Sequence, residues 1–200
     1  MSTNFRLLGG YTSIISGILL ILAHTLNLGG EKDFGTVLGE TLVLIAHLLL
    51  VFVFFGLFEV QGGRNGILGL LGMIIGVIGT ILVVAIVYVE IAGASGAKVD
   101  SVFTSDVPSI IHSFGPLLFV AGMILFGISV VHEKVLPRGG GYLLIIGTLI
   151  FVAGSFTGEA QAIIEVIGAV FTGGGFIWLG LPIVKNQNEK LIDVNNYLSK

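Results

Sequence analysis

The sequence predicts an all-α, polytopic bundle of six transmembrane helices, and three observations predict it. Six apolar stretches, over residues 7–28, 38–60, 66–92, 107–131, 141–157 and 163–184, each approach the ~20 residues needed to cross a ~30 Å hydrocarbon core. With 54% hydrophobic residues, 10% charged residues and a mean hydropathy of +1.06, a water-soluble chain would expose more apolar surface than water tolerates, a difficulty that lipid removes. The basic residues also divide unevenly. With the N-terminus inside, Arg6, Arg64, Lys134, Arg138, Lys185, Lys190 and Lys200 fall on the cytoplasmic side, against Lys32 and Lys98 outside. Both termini are therefore expected in the cytoplasm, with one transmembrane domain over 1–184 and a short polar cytoplasmic tail over 185–200. The acidic residues Glu31, Asp33, Glu40, Glu90, Asp100, Asp106, Glu159 and Glu165 sort to the other side.

In the first stretch Ser13, Ser16, Gly17, His24 and Asn27 recur at helical spacing on one face. The stretch is too long for a signal-peptide core and no A-x-A cleavage site follows it, so it is expected to stay as a helix. The second carries Glu40 and His47 two turns apart on nearly the same face, which puts His47 ~13 Å along the helix from Leu38. In the third, Gly69, Gly72, Gly76 and Gly79 make a groove for a neighbouring backbone. Glu90 follows Gly72 by five whole turns, which returns it to that packing face. The fourth holds Ser109, His112 and Ser113 in its outer third. Pro116 cannot donate to the His112 carbonyl, so a kink there would leave that oxygen free. The fifth repeats a glycine spacing at Gly147, Gly154 and Gly158 and leads through Glu159 to the sixth, which opens near Glu165. Mid-way along the sixth, Gly173, Gly174 and Gly175 lower helix stability by ~1 kcal/mol each relative to alanine, a composition that suits a hinge.

Function must come from polar side chains held in lipid, where a central charge costs about 2.5–3.5 kcal/mol on insertion scales. His24, Glu40, His47, Glu90, His112, Glu159 and Glu165 converge on the outer leaflet as candidate ligand- or proton-binding residues. Three readings follow. The histidines His24, His47 and His112 could ligate haem or a transition metal with carboxylates behind them, although no tight ligand spacing such as H-E-x-x-H appears. The carboxylates and histidines could relay protons or a cation in small-solute transport, with Pro116 and the glycine triplet as moving parts. Or the residues cap and bridge helices in an accessory or structural subunit, the reading most in keeping with dispersed polar residues. Cysteine is absent, which excludes disulfides, thiolate metal sites and thiol nucleophiles. No G-x-S-x-G elbow supports a hydrolase, and no basic patch with interleaved aromatics supports nucleic-acid binding. The expected partners are the lipid bilayer and, through the glycine-rich helix faces, a second copy or another membrane subunit. The expected address is a prokaryotic plasma membrane.

Overall fold

The computed structural model describes the backbone of residues 3–30 and 34–198 and the side chains of residues 4–30 and 34–186. Glu31, Lys32 and Asp33, assigned above to the outer side, and Lys200, assigned to the inner, lie outside the described residues, as does the side chain of Lys190. Regular structure consists of α1 (Thr3–Asn27), α2 (Val37–Gln61), α3 (Gly66–Ala94), a short α4 (Asp100–Thr104), α5 (Asp106–Glu133), α6 (Arg138–Gly154) and α7 (Gln161–Leu198). Two 3-10 turns, Gly62–Arg64 and Gly158–Ala160, complete it.

Five of these helices, α1, α2, α3, α5 and α7, are long and apolar enough to cross a membrane, and they make the chain a multi-pass bundle by length and composition. The sixth apolar stretch forms a shorter helix of 17 residues, about 26 Å at 1.5 Å per residue, and lies three residues earlier than the hydropathy suggests. Tertiary packing explains the shift. The glycines at its start meet neighbouring helices directly, so a glycine-rich segment that would not hold a helix alone is held by its contacts. At its other end Thr157 donates its hydroxyl to the Gly154 carbonyl at 2.6 Å and the helix stops. α7, by contrast, runs without interruption from the last apolar stretch into the polar tail.

The five long helices and α6 form a closed ring in chain order. α1 packs on α2, α2 on α3, α3 on α5, α5 on α6, α6 on α7, and α7 returns to α1. Neighbours alternate in direction, so one end of the ring gathers the starts of α1, α3 and α6 with the ends of α2 and α5. We call this the termini end and its opposite the far end. Inside the ring Leu50, Val53, Phe54, Leu57, Met123, Phe126, Leu144, Phe176 and Leu179 are at most 1% exposed, with Phe54 and Phe126 edge to face at 5.6 Å. The outside is apolar too, and this surface is what lipid would cover.

Small residues set the helix spacing. A methyl group on Gly122 would enter the backbone of Gly76, and one on Gly173 would meet the carbonyl of Gly17, so α3–α5 and α1–α7 approach backbone to backbone. The Ser13 hydroxyl donates to the Phe176 carbonyl at 2.7 Å and that of Ser16 to the Ala46 carbonyl at 3.3 Å, tying α1 to both neighbours. The glycine faces offered above to a second subunit therefore meet helices of the same chain, on α3 throughout the stripe Gly69, Gly72, Gly76 and Gly79. Gly173 and Gly175 likewise serve as contacts within an unbroken α7, the latter against Gly140 and Leu144, while a methyl on Gly174 would meet only Leu143 Cδ1, at 3.9 Å. α5 also continues through Pro116.

Candidate functional site

The polar residues of the spans concentrate at the far end. Glu40 sits in the first turn of α2 and is 8% exposed. Its place follows from local sequence. The Thr36 hydroxyl caps the helix by accepting from the Gly39 N–H at 2.9 Å, and the positive end of the helix dipole favours a carboxylate one turn in. Asn27, the last residue of α1, then joins the two helices. Its Nδ2 donates to Glu40 Oε1 at 2.6 Å while its Oδ1 accepts from the Thr36 N–H at 3.0 Å and from the Thr36 hydroxyl at 3.3 Å.

Two further carboxylates share this end. Glu90, one turn from the end of α3, and Glu165, at the start of α7, are half-buried; both lie within electrostatic range of Glu40, and Glu165 within range of Glu90. His24 Nδ1 lies 3.9 Å from Glu165 Oε2, an ion-pair distance but too long for a hydrogen bond, and its ring packs on Phe151 at 5.0 Å. His47 lies deeper in the bundle, 6% exposed. It sits with Nδ1 2.9 Å from the Val43 carbonyl and its ring against Phe119 at 5.2 Å. A carbonyl only accepts, so Nδ1 carries the proton in that contact and Nε2 of a neutral ring keeps its lone pair.

Of the seven candidates, the fold thus brings Glu40, Glu90, Glu165, His24 and His47 to one region and leaves two outside it. His112 is exposed and packs at a tilt against Phe103 of α4, ring centroids 4.6 Å apart, and Glu159 is exposed in the 3-10 turn. Among the described residues, no histidine lies within ion-pair distance of Glu90, and the acid beside His24 is Glu165. Asn27, read as part of a polar face, proves to be the hinge pin of the cluster. The signal available in sequence was its register with His24, but the Thr36 partner comes from a loop whose path only the fold defines.

Chemically the cluster is rich in carboxylates and poor in cations. Among the described residues, no lysine or arginine is paired with Glu40, Glu90 or Glu165. Among the described residues, no group of three or more histidine, aspartate or glutamate side chains is placed to hold a metal ion. What the arrangement offers is carboxylate oxygens and one imidazole lone pair, groups that take up protons or bind a small cation with water completing its shell. No family of known proteins, no curated protein and no solved structure matches this chain.

Proposed function

We propose that this chain is a six-span protein of a prokaryotic plasma membrane, with both termini cytoplasmic. Its far-end cluster faces outward and takes up protons or a small monovalent cation as the coupling site of a small-solute transporter. One observation carries the reading. Three carboxylates share a low-dielectric region, and among the described residues the basic group within ion-pair distance of them is a single histidine. Such a cluster is stable only with added positive charge, and in a membrane protein that charge is typically the transported or coupling ion. The orientation is supported by Arg6, Arg64, Lys134, Arg138 and Lys185 at the termini end. α6, at 17 residues, meets the lower limit for a span.

The packed interior beneath the cluster, with Phe54, Phe126 and Phe176 at its centre, is the closed side of such a transporter, and passage requires the helices to move. The same solid core favours a second reading. In an accessory or structural subunit the cluster joins α1, α2, α3 and α7 and nothing crosses. Purified protein in liposomes, under an imposed pH or sodium gradient and followed with a trapped pH dye, separates the two. Coupled transport gives a cation-dependent proton flux that falls at least about tenfold, equivalent to ~1.4 kcal/mol, in the Glu40→Gln/Glu90→Gln variant. Wild-type protein with no flux, and with a thermal midpoint indifferent to sodium, potassium and pH, would refute the transport reading and leave the subunit.

A further inference from the structure

The termini end holds a second polar feature, and it does not depend on the far-end cluster. A cavity of about 150 Å³ opens there between the start of α1, the end of α2, the α5–α6 loop and α7. Its lining is apolar at Val60, Leu136, Pro137 and Pro182, with one charged side chain, Arg6, and the amide of Asn186. Leu136 is 5% exposed and anchors the loop to the core, so the loop roofs the cavity. Lys134, in the left-handed conformation with φ 59°, turns the chain out of α5 and into that roof.

We propose that this cavity is a binding site for a phosphate group, free or carried on a lipid head, with Arg6 as its principal ligand. Arg6 Nε is buried without an acceptor, and the guanidinium lies 3.6 Å from Glu59, beyond hydrogen-bonding distance. The side chain as a whole is 41% exposed beside the cavity, and a planar cationic fork suits a tetrahedral oxyanion. Among the residues that line the cavity, Arg6 is the one with a buried side-chain atom that makes no hydrogen bond. The field around the cavity has the matching sign. Lys134 precedes the lining residue Val135, Arg138 follows Pro137, Lys185 precedes Asn186, and the positive end of α6 begins at Arg138, against Glu59 and Glu133. The cavity has room for a phosphate group with water beside it, at ~30 Å³ per water.

The test uses the full-length protein in uncharged detergent, stripped of lipid. Its one tryptophan, Trp178, packs on Gly139, two residues beyond the lining residue Pro137, and serves as the nearest fluorescent reporter. Inorganic phosphate and, in separate samples, phosphatidic acid in mixed micelles are titrated while tryptophan emission and the thermal midpoint are followed. A saturable response to phosphate assigns a free anion, and a response to phosphatidic acid alone assigns a lipid headgroup. Either supports the site. Arg6→Gln should weaken binding at least about tenfold, the effect of losing one charge-assisted hydrogen bond, whereas Arg64→Gln, at the same end but outside the cavity, should stay within about twofold of wild type. Should Arg6→Gln not fold, Arg6→Lys, which keeps the charge and loses the fork, should bind several-fold more weakly. No saturable response to either probe overturns the proposal, as does an Arg6 variant that binds like wild type or an Arg64→Gln loss equal to that at Arg6.

Discussion

Asn27 shows how one side chain can define a pocket. It donates to a buried carboxylate and accepts twice from Thr36, so it fixes Glu40 and closes the α1–α2 connection together. Asn27→Ala leaves the Glu40 oxygen and the Thr36 N–H without these partners. It is expected to cost about 1–3 kcal/mol, seen as a lower thermal midpoint in detergent, and an unchanged midpoint would show that water replaces the amide at no cost. Lys134 makes the opposite kind of prediction. A side chain in the left-handed region costs about 1–2 kcal/mol that glycine does not incur, so Lys134→Gly should raise the midpoint unless the lysine head makes compensating contacts in the folded state. The spacing of Glu40 and His47 showed that they share one face of α2. Their partners were not, because Asn27, Thr36 and Phe119 reach them from other parts of the chain.

At the scale of the element, the glycine triplet of α7 separates packing from hinge motion. Gly173 faces Gly17 and Gly175 faces Gly140, whereas the atom nearest to a methyl on Gly174 is Leu143 Cδ1 at 3.9 Å. Gly174→Ala is therefore expected to stabilise the protein by about 0.5–1 kcal/mol through helix propensity, with function retained if α7 moves as a rigid body. Gly173→Ala should destabilise by about 1–3 kcal/mol through overpacking against α1. If the two variants lose activity equally while both remain folded, the triplet bends during function. The same contrast applies between α3 and α5, where Gly122→Ala would force the helices apart at Gly76. Periodicity alone marked the α3 stripe as a packing face. It did not say against which helix, nor that the triplet would run as ordinary α-helix, since both depend on the neighbour supplied by ring closure.

For the whole molecule, the ring order and the two polar ends make topology the most informative measurement. The chain contains no cysteine, so single-cysteine variants report cleanly. Lys98→Cys is expected to react with an impermeant thiol reagent in intact cells, and Arg138→Cys only after lysis. Labelling at 138 but not at 98 would invert the bundle and turn the carboxylate cluster inward. The filled interior yields a stability prediction as well. Phe126→Ala opens a cavity beside Phe54 at the middle of the ring and should cost about 3–5 kcal/mol, measured as a fall in the unfolding midpoint relative to an exposed control such as Leu117→Ala.

Sequence by itself determined that the chain is helical, multi-pass and rich in close glycine contacts, because lipid demands long apolar helices and leaves its record in composition and period. It also determined that most of the bases lie at one end and most of the acids at the other, since alternation of the spans sorts loop residues without knowledge of packing. Tertiary structure alone decided which polar residues meet. His24, Asn27, Glu40, His47, Glu90 and Glu165 come from four helices, and His112 and Glu159, equally eligible by depth, face outward instead. The physical reason is rotational. Hydropathy fixes how deep a residue lies, but in a helix apolar on every side no strong amphipathic stripe fixes which way it turns, and only the backbone contacts at glycine, serine and their partners choose the face.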